Sequence, residues 1–332
     1  MKFPVLRLLV LVLVVSQGCK KTDVKGNNTS TKDTTANTTN PPPVIVNIPS
    51  ANYSLSDLGK VTLFNDVPVV VNLANQSHDE LSGLAASRLN PGMIYTHEDS
   101  GNGPEVYVTN ANGDDLGKLI LDGVYNRDWE DIACGPGPDD TKKYVYVAEI
   151  GDNDAVYKSI FIYRFVEPDL TGANAQTIKH VVPDFIQCVY PTGPVNSETL
   201  MVDPLTKDIY IATKQTGESS LYVARYPQSV NSVITLTPLA KFPFDHLTAG
   251  DISPDGSEIL IRNTGQIWYW KRQPGEAVVD AMLRKPMDAP YAQNEHQGES
   301  ICFAVDGAGY FTTSETKKYP GDKVALSFYK RK

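Results

Sequence analysis

The stretch RDWEDIACGP, residues 127–136, sets Asp128, Glu130 and Asp131 within four positions around Trp129, and the apolar run Ile132-Ala133-Cys134 follows at once. Shortly after it, YVYVAEIGDND (residues 144–154) carries Glu149, Asp152 and Asp154 at the end of another apolar run. Carboxylates at this density suit two kinds of chemistry. They can hold a hard cation through oxygen ligands, or one of them can serve as a general base in a hydrolysis. Either role requires the two stretches to meet in space, so the question passes to the elements that carry them.

From about Val61 the chain reads as short strands separated by Gly, Pro, Asn and Asp: MIYTHED, EVYVTN, YVYVAE, SIFIYRF, DIYIATK, SLYVARY and QIWYWKR. Apolar and polar residues alternate with the period of a pleated strand, and almost no helical stripe occurs. Five segments share one internal order, with first strands beginning at Ser82, Glu130, Glu198, Gly250 and Glu299, at steps of 48, 68, 52 and 49 residues. A repeat of roughly 40–50 residues with four strands is the signature of a β-propeller blade. The sequence therefore predicts an all-β, five-bladed propeller, with six blades as the alternative because the second repeat is overlong. The last repeat ends in KVALSFYKRK after three strands, so the segment from Val61 to Leu73 is expected to close the ring as its outer strand.

In a blade the first strand lines the central channel and the second returns antiparallel, so the start of one and the end of the other share a rim. This frame gathers Glu130, Asp131, Glu149, Asp152, Glu198 and Glu299 as a metal-ligand set, with Glu recurring at one repeat position in three blades. An all-oxygen, many-armed site points to Ca2+. The same frame puts Asp251 at a strand-one start on that rim. Arg127, Lys214, Arg262, His97 and His296 fall near the same rim and form the expected ligand-binding set for an anionic group. Glu130 and Glu149 are the candidate bases should the site be catalytic. Trp268 and Trp270, alternating with Tyr269, read as inter-blade packing, with sugar stacking as the sharper alternative. No histidine pair has zinc-site spacing, and there is no nucleophile elbow, phosphate loop or dinucleotide fingerprint.

The chain has 332 residues and a formal net charge of −9, without a basic stripe, so nucleic acid is not an expected partner. Lys2 and Arg7 make the start of the chain basic, and the apolar run Val5–Val15, which contains Arg7, leads into Ser-Gln-Gly-Cys ending at Cys19. This is a secretory signal, and it resembles a bacterial lipoprotein signal in which Cys19 becomes the lipidated N-terminus. Residues 20–52, rich in Asn, Thr and Pro, read as a tether, and residues 53–332 as the folded domain. The expected location is the cell envelope, anchored by lipid to the outer membrane of a Gram-negative bacterium, and the expected state is a monomer. Cys134, Cys188 and Cys302 lie in apolar contexts at wide spacing and read as buried thiols.

Taken together, ELSGLAASRLNPGMIYTHEDSG, RDWEDIA, YVYVAEIGDN and IYRFVEP resemble a group of exported bacterial β-propeller lipoproteins. The layout is more distantly similar to β-propeller phytases and calcium-dependent apyrases. The likeness implies a propeller with an acidic, metal-binding face and does not imply an activity. Two functions from different classes follow as expectations. One is a module that binds a small anionic ligand or a partner protein around a structural Ca2+. The other is a calcium-dependent phosphoesterase in which Arg127, Lys214 and Arg262 hold phosphate oxygens. Carbohydrate binding or cleavage by a carboxylate pair is a third and thinner reading.

Overall fold

The computed structural model describes residues 48–291 and 295–332. The signal segment, Cys19 and the tether up to residue 47 lie outside the described residues. The rest forms five small sheets arranged in a ring, a five-bladed β-propeller. The innermost strands are Leu81–Ala86, Trp129–Gly135, Ser197–Val202, Leu247–Ile252 and Gly298–Phe303. Each lies against the innermost strands of both neighbours, and the fifth meets the first. One short helix, Val278–Leu283, sits between the third and outer strands of blade four. No helix among the described residues is long and apolar enough to cross a membrane.

Period-2 alternation explains why five sheets cohere. A strand within a blade has a neighbouring blade on each face, so both sets of its side chains are buried. Five apolar clusters result, one at each blade junction. QIWYWKR shows the rule: Trp268 and Trp270 pack toward blade three, with Phe244 rings at 4.5 and 5.8 Å, while Tyr269 between them packs toward blade five. Both tryptophans are buried, so neither is a platform for a sugar. Cys134, Cys188 and Cys302 are buried free thiols in three of these clusters.

The ring is closed as expected, by a shorter piece than expected. Val69–Asn72 pairs antiparallel with Ala325–Lys330 as the outer strand of blade five. The residues before it serve another purpose. Ser50 bridges Lys241 on blade three, Lys60 bridges Asp288 on blade four, and Phe64 bridges Arg331 on blade five. The Pro49 carbonyl accepts the Lys241 amide at 2.9 Å, so the propeller's contacts reach into the segment expected as tether. Tyr53, Leu55 and Leu58 of this strap pack into the junction between blades three and four. The overlong second repeat has a similar cause. Ile178–Val181 leaves blade two and adds in parallel to Lys118–Leu121 of blade one, and Ile234–Thr235 likewise adds to Asp184–Val189 of blade two. These additions cover outer edges that would otherwise present unpaired amides.

Candidate functional site

Each innermost strand begins with one extra residue. The pairing with the second strand slips between Leu81 and Gly83, Trp129 and Asp131, Ser197 and Thr199, Leu247 and Ala249, and Gly298 and Ser300. A bulge of this kind turns one side chain out of the ladder. The five residues so placed are Ser82, Glu130, Glu198, Thr248 and Glu299. The two hydroxyls tie down the next blade: Ser82 Oγ donates to the Glu130 carbonyl at 2.8 Å, and Thr248 Oγ1 to the Gly298 carbonyl at 3.1 Å. The three glutamates converge on one mouth of the channel. Their recurrence in the repeat is thus a recurrence of geometry.

Two further carboxylates join them. Asp99 follows the second strand of blade one, and Asp128 precedes the bulge of blade two. Oxygens of Asp99, Asp128 and Glu130 lie within 4.8 Å of one another. Gly151, from the EIGDN stretch, makes this approach feasible. A Cβ there would come to 2.1 Å from Glu130 Oε1 and 2.5 Å from Asp128 Oδ2. The two acidic stretches therefore do meet, but through a glycine rather than through all of their carboxylates.

Glu130 is 3 % exposed, and among the described residues no hydrogen bond or ion pair reaches its carboxylate. Burial, reinforced by the charges of Glu198, Asp99 and Asp128, holds its pKa well above the carboxylate range. Burial also pushes Asp128 up to about 6, Glu198 to about 8 and Glu315 to about 9. The charge of Glu299 adds to the shift at both Glu198 and Glu315. Lys214 opposes this charge, with Nζ 2.5 Å from Glu198 Oε2 and 3.9 Å from Glu299 Oε1. Gln297 donates to Glu299 Oε1 at 3.0 Å and also to Glu315.

Three members of the expected metal set are committed to backbone amides instead. Asp131 accepts from Ile132 and Leu200 at 2.9 Å and faces the Gly250 amide at 3.4 Å, so it ties blades two, three and four together across the channel. Glu149 accepts the amides of Arg127 and Asp128 at 3.1 and 2.9 Å, and Asp152 caps the next turn through Val156 and Tyr157, both at 2.8 Å. Asp251 is not at a strand start. It lies deeper in the channel, where it accepts from Ile252 and Phe303 at 2.8 Å.

The expected anion-binding set is not assembled. Arg262 is fully buried, 2.9 Å from Glu295, in a space that any side chain on Gly298 would fill. His97 is fully buried edge-on to Trp129, and burial pushes its pKa down to about 4. His296 sits apart, 2.8 Å from Asp322 and stacked on Tyr319. Arg127 lies 3.0 Å from Glu149 and 3.8 Å over the Tyr157 ring. Each of these bases has its own partner, and of the expected set Lys214 is the one that faces the acidic mouth. Asp99 and Asp128 are the two members of this cluster that sequence reasoning left out of the metal set; for Asp99 a signal in the repeat existed. Asp99 occupies the same position after the second strand as Lys214 and Glu315, which is the signal that could have found it.

No protein-family model matches the chain, and no curated protein matches it.

Proposed function

We propose that the channel mouth binds one hard divalent cation, Ca2+ before others, held by Asp99, Asp128 and Glu130. On this reading the domain is an envelope-tethered binding module whose ligand docks over the ion. The observation that carries it is the Glu130 carboxylate, buried and without a partner among like charges. Such a group is costly unless a cation neutralises it. The donors near it are oxygens, which suits calcium rather than zinc. Three carboxylates fill fewer than the six to eight positions that calcium takes, which leaves room for a carboxylate or phosphate of a small anionic ligand or partner protein. The basic segment, apolar run and Cys19 support carriage to the outer membrane by a lipid anchor. The phosphoesterase reading is less well supported, because Arg127, Lys214 and Arg262 are each paired to the protein's own carboxylates.

Titration calorimetry on the full chain tests the proposal. The expected result is one equivalent of Ca2+ bound by the wild type and at least tenfold weaker binding by Glu130→Gln, which keeps the shape and removes the charge. No calcium heat from the wild type, together with melting that chelator does not change, would sink it.

A further inference from the structure

The rim around Asp128 differs from the rest of the surface. Among the described residues the exposed aromatic rings are those of Tyr125, Tyr157 and Phe185, and two of these three belong to this rim. Tyr125, 85 % exposed, stands shortly before Asp128. Its loop is fixed by Asn126, whose Nδ2 donates to the Glu98 and Asp99 carbonyls at 3.0 and 2.9 Å and whose Oδ1 accepts the Trp129 amide at 3.0 Å. Tyr157 lies on the second acidic stretch, shortly after Gly151. The Arg127 guanidinium stacks over its ring at 3.8 Å and is itself held 3.0 Å from Glu149. Asp152 accepts the Val156 and Tyr157 amides, and Ala155 in the same turn takes a left-handed φ of 51°, which costs energy for a residue with a Cβ. Val156 is exposed as well. The fold thus holds rings and an aliphatic side chain in water beside the candidate ion site, where they add nothing to a core.

We infer that the ligand docking over the ion is a uronic-acid residue of a glycan, with its carboxylate and a neighbouring oxygen on the cation and the apolar face of its ring against Tyr125 and Tyr157. The inference rests on the cation reading proposed above, and so on the buried Glu130 carboxylate that has no partner among the described residues. Asp99, Asp128 and Glu130 leave the ion short of the roughly six to eight oxygens that calcium takes. A uronate brings a carboxylate together with ring and hydroxyl oxygens on adjacent carbons, whereas a flat aromatic acid brings the carboxylate alone. The C–H bonds on one side of a pyranose form an apolar surface whose positive edge suits the negative face of a tyrosine ring. A rigid ring meeting rings that the fold already holds in place loses little freedom on binding. A protein partner would engage roughly 20–30 residues a side. The exposed apolar rim consists of Tyr125, Val156 and Tyr157, which suits a single ring.

The test is titration calorimetry of the full chain saturated with calcium, each heat corrected for calcium binding to the probe alone. The probes are trimers of galacturonate, glucuronate and guluronate, the neutral trisaccharide maltotriose, benzoate, and an aspartate-rich peptide. At least one uronate trimer should bind, chelator should abolish that binding, and the other probes should give no heat. Tyr125→Ala with Tyr157→Ala removes two ring contacts and should weaken the uronate by about tenfold. Tyr125→Phe with Tyr157→Phe keeps the rings and should restore most of the affinity. Melting of the alanine pair shows whether the loss comes from unfolding, and if it does, the contrast between uronates and the other probes still decides. Three results overturn the inference and leave the cation reading intact: calcium bound by the wild type with no heat from any uronate trimer, uronate affinity unchanged in the alanine pair, or benzoate or the peptide bound as tightly as any uronate. A wild type that binds no calcium removes the cation reading and this inference with it.

Discussion

Replacing Glu130 by Gln should stabilise the cation-free protein and destabilise the calcium-loaded one. The substitution keeps the volume and removes a charge that is 3 % exposed and has no partner among the described residues. Its amide can donate to Asp99 or Asp128, whose oxygens lie within 4.8 Å of the carboxylate it replaces. Relief of an unsatisfied buried charged group is worth about 1–3 kcal/mol. For a domain of this size that is a rise of a few °C in Tm, at about 2–4 °C per kcal/mol. Calcium at a hundredfold excess over Kd adds about 2.7 kcal/mol to a protein that binds it and little to one that does not. The melting order of wild type and variant should therefore cross between chelator and calcium.

The pH dependence has a definite sign. Folded-state values of about 6 for Asp128, 8 for Glu198 and 9 for Glu315 lie above the ordinary 3.8 and 4.5. The native state then holds more protons than the unfolded chain. These groups contribute stability that is full below about 4.5 and lost as pH rises through the folded values. Without cation, the wild-type Tm should fall between pH 5.5 and 9, and calcium should flatten the fall. Differential scanning calorimetry at pH 5.5, 7 and 8.5, with chelator or with calcium, reads all of this. Two outcomes refute the reasoning: a Glu130→Gln protein less stable than wild type in chelator at pH 8.5, or a cation-free wild type that gains stability over that range.

Gly151→Ala would place a methyl at 2.1 Å from Glu130 Oε1, so calcium affinity should drop at least tenfold while the circular dichroism spectrum stays that of the wild type; unchanged affinity would remove Gly151 from the site. Deleting Val69–Asn72 should expose the edge formed by Ala325–Lys330 and cause aggregation visible in light scattering, whereas a soluble, cooperatively melting product would show that closure does not depend on this strand. Cys19→Ser should move the protein out of the membrane fraction or leave its signal uncleaved, and unchanged fractionation of a processed protein would count against a lipid anchor.

The sequence by itself determined the propeller, put five blades ahead of six, placed the closing strand within Val61–Leu73 and favoured inter-blade packing for Trp268 and Trp270 and buried thiols for the cysteines. These rest on local signals: period-2 alternation, turn residues and a repeat length, each readable within a few residues. It also located three carboxylates of the mouth, because Glu130, Glu198 and Glu299 share a repeat position. Tertiary structure decided the rest, and the reasons are physical. In blade four the bulged position falls on Thr248, so Asp251 lies three residues further down the channel, and the register that shows this depends on pairing with the next strand. Asp131, Glu149 and Asp152 are as acidic as Glu130, yet each found backbone amides, and only the folded chain shows which amides lie within reach. Arg262 and His97 alternate like rim residues but point into blade junctions, so a base expected to meet a ligand meets Glu295 or Trp129 instead. What makes a carboxylate available is the absence of any competing donor, and that is a property of all its neighbours in space, to which its own position in the chain gives no access.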